Sequence, residues 1–196
     1  MGYAIIEDKG QQAGRHEIKH SWFKRNNVNF NQMPLPVGDY ILLTDSVADV
    51  ISRKEKRGIP VKKMDFLGTY DICVDTKRDI QEVVGNICGK QHERFRDECI
   101  LAQNNGIQLY VLVENKDNIT NLEELEHWKN PRLKLCKWVT TPTGEKKRVP
   151  KHPYATSGKT LSKAMVTMEE KYGVKFLFCD PMNAGEEIIK ILTKGE

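Results

Sequence analysis

Asp75 and Thr76 close a stretch, Tyr70 to Thr76, in which Ile72 and Val74 alternate with Asp71, Cys73 and Asp75, and Lys77 follows directly. Alternation of this kind marks a half-buried strand, where residues i and i+2 share a face, so Asp75 and Lys77 point the same way. A carboxylate beside an ammonium suits phosphodiester hydrolysis. The carboxylate holds a divalent cation, and the ammonium lies near the attacking water and the charge that develops on phosphate. A second carboxylate must come from a neighbouring strand, and Asp39, after Gly38 at the start of another strand, can supply it. Asp71, four residues before Asp75, is the rival. By itself an Asp-x-Lys triplet recurs by chance in charged proteins, and a surface ion pair is its ordinary meaning.

The elements around these residues must bring them together. Tyr3–Ile6 reads as a strand ending at the acidic tip Glu7-Asp8. Residues 15–25 read as a helix with Ile18, Trp22 and Phe23 at helical spacing, and 28–30 and 35–43 as strands. Residues 44–69 read as a polar, basic connection inserted between two strands. Ile80, Val83, Val84 and Ile87 make the stripe of an amphipathic helix, and 92–104 a second helix. Ile107–Val113 is almost continuously apolar, as suits a strand covered on both faces. Residues 122–128, 158–172 and 184–192 read as helices, 174–178 as a strand, and 130–153 as a basic loop. Strands and helices intermix throughout, which makes the class α/β.

Composition narrows the partners. The 196 residues are 39% apolar and 30% charged, a globular balance, and no apolar run approaches the roughly 20 residues of a membrane span. The opening turns acidic too early for a secretory signal, and five cysteines without a C-x-x-C pair do not suggest a disulfide framework. The expectation is a cytoplasmic protein with no membrane partner. The net charge is only +4, but residues 53–63 carry +5 and 129–151 carry +7, which leaves −8 on the rest. An acidic body with two basic segments is built to meet a polyanion. Arg53, Lys54, Lys56, Arg57, Lys62 and Lys63 in the first segment, with Lys146, Lys147 and Arg148 in the second, are the candidate nucleic-acid contacts.

Leu35-Pro36-Val37-Gly38-Asp39-Tyr40-Ile41-Leu42, then Val74-Asp75-Thr76-Lys77, an apolar helix and the strand Leu109–Glu114 together resemble the nuclease domain of the XPF family of structure-specific endonucleases. That family is a branch of the PD-(D/E)XK nucleases. Glu7-Asp8-Lys9-Gly10-Gln11 looks like its opening motif, and Gln91–Glu98 resembles a block of its small phage and bacterial single-domain members. The resemblance implies a restriction-endonuclease-like α/β core, a central mixed sheet flanked by helices, over residues 1–114. A basic α/β C-terminal extension follows over 115–196. It implies a structure-specific DNA endonuclease using Mg2+ or Mn2+, with Asp39 and Asp75 as metal ligands, Asp8 as a further metal carboxylate and Lys77 at the water. DNA is the implied partner, a homodimer is plausible, and the setting would be a bacterial or phage-infected cell. The chain departs from the family at Gly10 and Thr76, where arginines are usual, and the trailing acid falls near Gln81 or Glu82. Those losses keep two alternatives open: a non-catalytic DNA-binding adaptor, and a general phage-type DNase indifferent to branching.

Other motifs carry less. His16 and His20 have metal-capable i, i+4 spacing without an evident third ligand, and read as surface histidines. Ser157-Gly158-Lys159-Thr160 lacks the earlier glycine of a phosphate loop and reads as a helix start, so no nucleotide cofactor is expected. Trp22 reads as core, whereas Trp138 in the basic loop could stack on a base. Arg94 and Glu98 read as an i, i+4 pair, and the cysteines as small buried apolar residues.

Overall fold

Alternating apolar residues on six short strands can be buried only if both faces of the resulting sheet are covered. The computed structural model, which describes residues 3–10 and 16–193, has that arrangement. Gln11 of the opening motif and residue 15, where the first helix was expected to begin, lie outside the described residues. The strands are β1 (Ala4–Asp8), β2 (Asn29–Met33), β3 (Tyr40–Leu42), β4 (Ile72–Lys77), β5 (Gln108–Glu114) and β8 (Lys175–Cys179). They form one sheet in the order β2-β1-β3-β4-β5-β8. β3 runs antiparallel to both β1 and β4, while β1 with β2, and β4 with β5 and β8, are parallel. The sheet is therefore mixed, as expected.

Helices α1 (Glu17–Arg25) and α7 (Ala184–Leu192) cover one face, where Phe23, Ile188 and Ile191 join Ile5, Tyr40, Val74 and Leu112. The other face carries α2 (Asp45–Lys56), α3 (Ile80–Ile87), α4 (His92–Asn104) and α6 (Gly158–Tyr172), with Val47, Ile80, Phe95 and Met165 against Ile6, Cys73, Val111 and Val113. Strand alternation is visible in that partition. Val74 belongs to the first face and Cys73 to the second. The same parity sends Asp75 and Lys77 toward α3 and α4.

Three segments differ from their sequence reading. The connection over 44–69 contains α2, capped by the Thr44 hydroxyl on the Val47 amide, and a 3-10 turn at Lys63–Phe66. Val47 and Phe66 are fully buried, so apolar anchors spaced among many charges make this segment part of the core. The basic loop over 130–153 holds a hairpin, β6 (Cys136–Thr140) and β7 (Lys146–Pro150), with α5 (Leu122–Leu125) before it. Its strands are exposed on both faces, so no apolar alternation marked them. Residues 35–39, expected within a strand over 35–43, are irregular, and β3 begins only at Tyr40. Pro34 and Pro36 cannot donate to a ladder, and Gly38 takes a φ of +73°. The extension contributes β8 to the main sheet beside β5, and Ser157 caps α6 as a helix start.

Candidate active site

The turn before β3 sets the site. Gly38 sits in the left-handed region, and a Cβ there would fall 2.9 Å from Cys73 Cβ, so the chain presses against β4 at a position only glycine fills without strain. From that turn the Asp39 amide donates to the Val74 carbonyl at 2.8 Å, and the Asp39 carbonyl accepts from the Asp8 amide at 2.7 Å. Asp39 is thereby locked between β1 and β4. One oxygen of its carboxylate, Oδ2, accepts from both the Thr76 amide and the Thr76 hydroxyl, each at 2.8 Å. Thr76 stands where the family carries arginine, and it orients a proposed metal ligand.

Asp75 and Lys77 share the face turned toward α4. Lys77 Nζ lies 2.6 Å from Asp75 Oδ2, and both side chains are buried. That oxygen is held by the Lys77 ammonium. The Phe95 ring stands 5.5 Å from the same ammonium. Burial pulls Lys77 down, but the charges of Asp75 and Asp39 outweigh it and hold the ammonium well above its ordinary range. Burial, then the neighbouring Asp75 charge, pushes Asp39 up to about 8. Glu98 of α4 is raised for the same two reasons, although its Oε1 accepts from the Gly38 amide at 2.9 Å. Three carboxylates crowd one lysine.

These groups line a cavity of about 730 Å3 that also touches Asp8, His16, Lys63, Arg94 and Glu114. Hard carboxylate oxygens crowded together and repelling one another are the conditions a divalent cation relieves, and the donor set fits Mg2+ or Mn2+. Among the described residues no three His, Cys, Asp or Glu side chains are already closed into a metal cluster. A cation would thus draw on Asp39 and Asp75 with water and substrate oxygens.

Asp8 lines the cavity, but its two oxygens accept from the amides of Leu35 (2.8 Å) and Gly10 (3.1 Å), so it shapes the loop that carries Asp39. A Cβ at residue 10 would lie 2.6 Å from Asp8 Oδ2, the movable end of a side chain, so a larger residue there would displace that carboxylate. Asp71, the rival to Asp39, is exposed ahead of β4. Of the basic candidates, Lys63 reaches the cavity. Lys54 pairs with Asp65 at 2.9 Å and ties α2 to the following turn. Arg53, Lys56, Arg57 and Lys62 are exposed along α2 and beyond it, and Lys146, Lys147 and Arg148 are exposed on β7.

Sequence reasoning passed over several groups that pack here. His20, read as a surface histidine, bonds Glu7 Oε1 at 2.8 Å and stacks on Phe30 with centroids 4.5 Å apart. The Tyr40 hydroxyl donates to the same Glu7 oxygen, and Gln32 donates to the other. Lys19 is buried and paired with Glu114 at the end of β5. Glu98 bonds the Gly38 amide from across the fold, beyond the helical pairing its spacing suggested. None of these contacts has a local sequence signal.

A glycine-aspartate turn, an Asp-x-Lys strand end and an α4 carboxylate meet at one end of the two central strands of a mixed sheet, in a PD-(D/E)XK-type fold. The comparisons name the branch: the family model described as "ERCC4 domain" matches residues 8–192, and the chain belongs to that family. Two solved structures of XPF from Aeropyrum pernix are similar in fold. One has 15% identity and a TM-score of 0.50, covering 96% of this chain. The other, a complex with DNA, has 14% identity and a TM-score of 0.52, covering 97%. The chain spans 63% of the length of either XPF chain. No curated protein matches it.

Proposed function

We propose that this protein is a divalent-metal-dependent DNA endonuclease that acts on flapped, forked or otherwise branched DNA. The observation that carries the reading is the convergence of Asp39, Asp75 and a charged, buried Lys77 on one cavity. Membership of the ERCC4 family and the fold shared with XPF support a DNA-processing role. One of the two XPF structures is a complex with DNA, which supports nucleic acid as the partner.

Asp39 and Asp75 would hold the metal, which when bound supplies a Lewis acid and lowers the pKa of a coordinated water. Thr76 fixes the Asp39 carboxylate. Lys77, kept cationic, is suited to orient the attacking water and to stabilise negative charge developing on the phosphate, rather than to accept a proton. Glu98 acts through Gly38, holding the turn from which Asp39 projects. The exposed lysines and arginines of α2 and β7 would meet the phosphate backbone, whose contacts release counterions and strengthen binding without reading sequence.

The test is cleavage of end-labelled flap, fork, linear duplex and single-stranded DNA with Mg2+ or Mn2+, and with chelator, beside Asp75→Asn protein. Metal-dependent cutting of the branched substrates, reduced about 100-fold or more in Asp75→Asn, is expected. Cutting indifferent to branching would make it a general DNase. DNA retention without cutting would make it an adaptor on a nuclease fold.

A further inference from the structure

A second groove of about 820 Å3 adjoins the cavity, and Arg78, Glu82 and Gln91 line both. The groove runs between the turn from α3 to α4 and the segment leaving β7. Arg132, Lys151 and Lys90 face it with Arg78, against Glu82 as the acid among its lining residues. Arg78 Nε lies 3.3 Å from Asp79 and 3.8 Å from Glu82 in exposed pairs, which are weak enough to exchange for a phosphate. Tyr154 also lines the groove and is 97% exposed, so its ring contributes nothing to packing. A cationic channel with a bare aromatic ring beside it is the arrangement that takes up single strands, because a base can stack on a side chain only when it is out of the double helix.

We propose that this groove carries an unpaired DNA strand to or from the Asp39–Asp75–Lys77 centre, with Arg132 and Lys151 on its phosphates and Tyr154 stacked on one base. The proposal rests on the nuclease reading and adds the path of one strand and the residues that hold it. The shared wall at Arg78 places the groove where a strand passing the cavity would continue. It also explains why the basic segment over 129–151 folds next to α3 and α4, since the chain leaving its hairpin forms the far wall.

The experiment is fluorescence anisotropy of labelled oligothymidylate and of a duplex of equal length, in chelator so that neither is cut. It compares wild type, Tyr154→Ala, and Arg132→Ala/Lys151→Ala; all three positions are exposed, and thermal melting checks that each variant folds. Tyr154→Ala should weaken single-strand binding about five-fold or more and leave the duplex within about two-fold. The double variant should reduce the slope of log K against log salt for the single strand by about 1.4. Variants that bind oligothymidylate as wild type does would overturn the groove and leave the nuclease reading standing. Equal losses on single strand and duplex would overturn the single-strand assignment. Wild-type protein that binds neither probe would overturn the groove, while the cleavage of flap and fork substrates decides the nuclease reading, which separates the two failures.

Discussion

Thr76 donates twice to one oxygen of Asp39: its amide and its hydroxyl both reach Oδ2 at 2.8 Å. A position that looked like the loss of a signature arginine is thus part of the device that aims the site. The amide bond survives any substitution, so the hydroxyl is the separable part. Above pH 8, where the Asp39 carboxyl is ionised, Thr76→Val should cost about 1.5–3 kcal/mol in denaturant unfolding, the range for a hydrogen bond to a charged group. It should slow single-turnover cleavage about ten-fold, while Thr76→Ser stays within about two-fold. Equal activity of the Val and Ser variants would show that the hydroxyl aims nothing.

Asp75 and Lys77 depend on each other because both are buried. Removing one leaves an uncompensated charge, so Lys77→Met should destabilise by about 3–5 kcal/mol. Adding Asp75→Asn should recover more than half of that loss without restoring cleavage. Urea unfolding of the two single variants and the double variant, read as a double-mutant cycle, measures the coupling. Additive losses would rule it out.

Gly38 is a geometric requirement. Its φ of +73° and the 2.9 Å approach to Cys73 Cβ both exclude a side chain. Gly38→Ala should lower stability by about 1–3 kcal/mol from backbone strain alone, with overpacking against Cys73 adding to it. Because Asp39 follows directly, cleavage should fall more steeply than the folded fraction does. Circular dichroism alongside initial rates separates these effects.

Glu7 makes stability depend on pH. Burial by itself would raise its carboxyl, but hydrogen bonds with Gln32, His20 and Tyr40 outweigh burial and hold it below its ordinary value of 4.5. A carboxylate lowered in the folded state contributes stability that is present above its unfolded pKa and is lost as pH falls through the folded value. Wild-type stability should therefore decline as pH drops below about 4.5, and Glu7→Gln should flatten that part of the curve. Chemical unfolding across the acid range in both proteins checks it; parallel curves would exclude Glu7 as the source.

Much of the fold was readable from the chain. α4, α6 and α7 occupy the ranges 92–104, 158–172 and 184–192 that read as helices, because helical residue composition and stop signals are local. β4 and β5 were equally plain, because alternation and a continuous apolar run are direct imprints of half-buried and fully buried strands. α2 was missed because its few apolar anchors are outnumbered by charges, and β6 and β7 because an exposed hairpin needs no apolar pattern.

At the site, sequence alone determined the chemistry available: Asp39, Asp75 and Lys77, with the last two on one strand face by a period of two. What tertiary structure decided was everything that crosses between elements. Thr76 on Asp39, Glu98 on the Gly38 amide, Lys19 on Glu114, and the groove beside Arg78 join residues 37, 60, 95 and more than 50 positions apart. Residue type and local spacing are written along the chain, but a contact between distant segments exists only once burial of the two sheet faces has fixed which elements are neighbours.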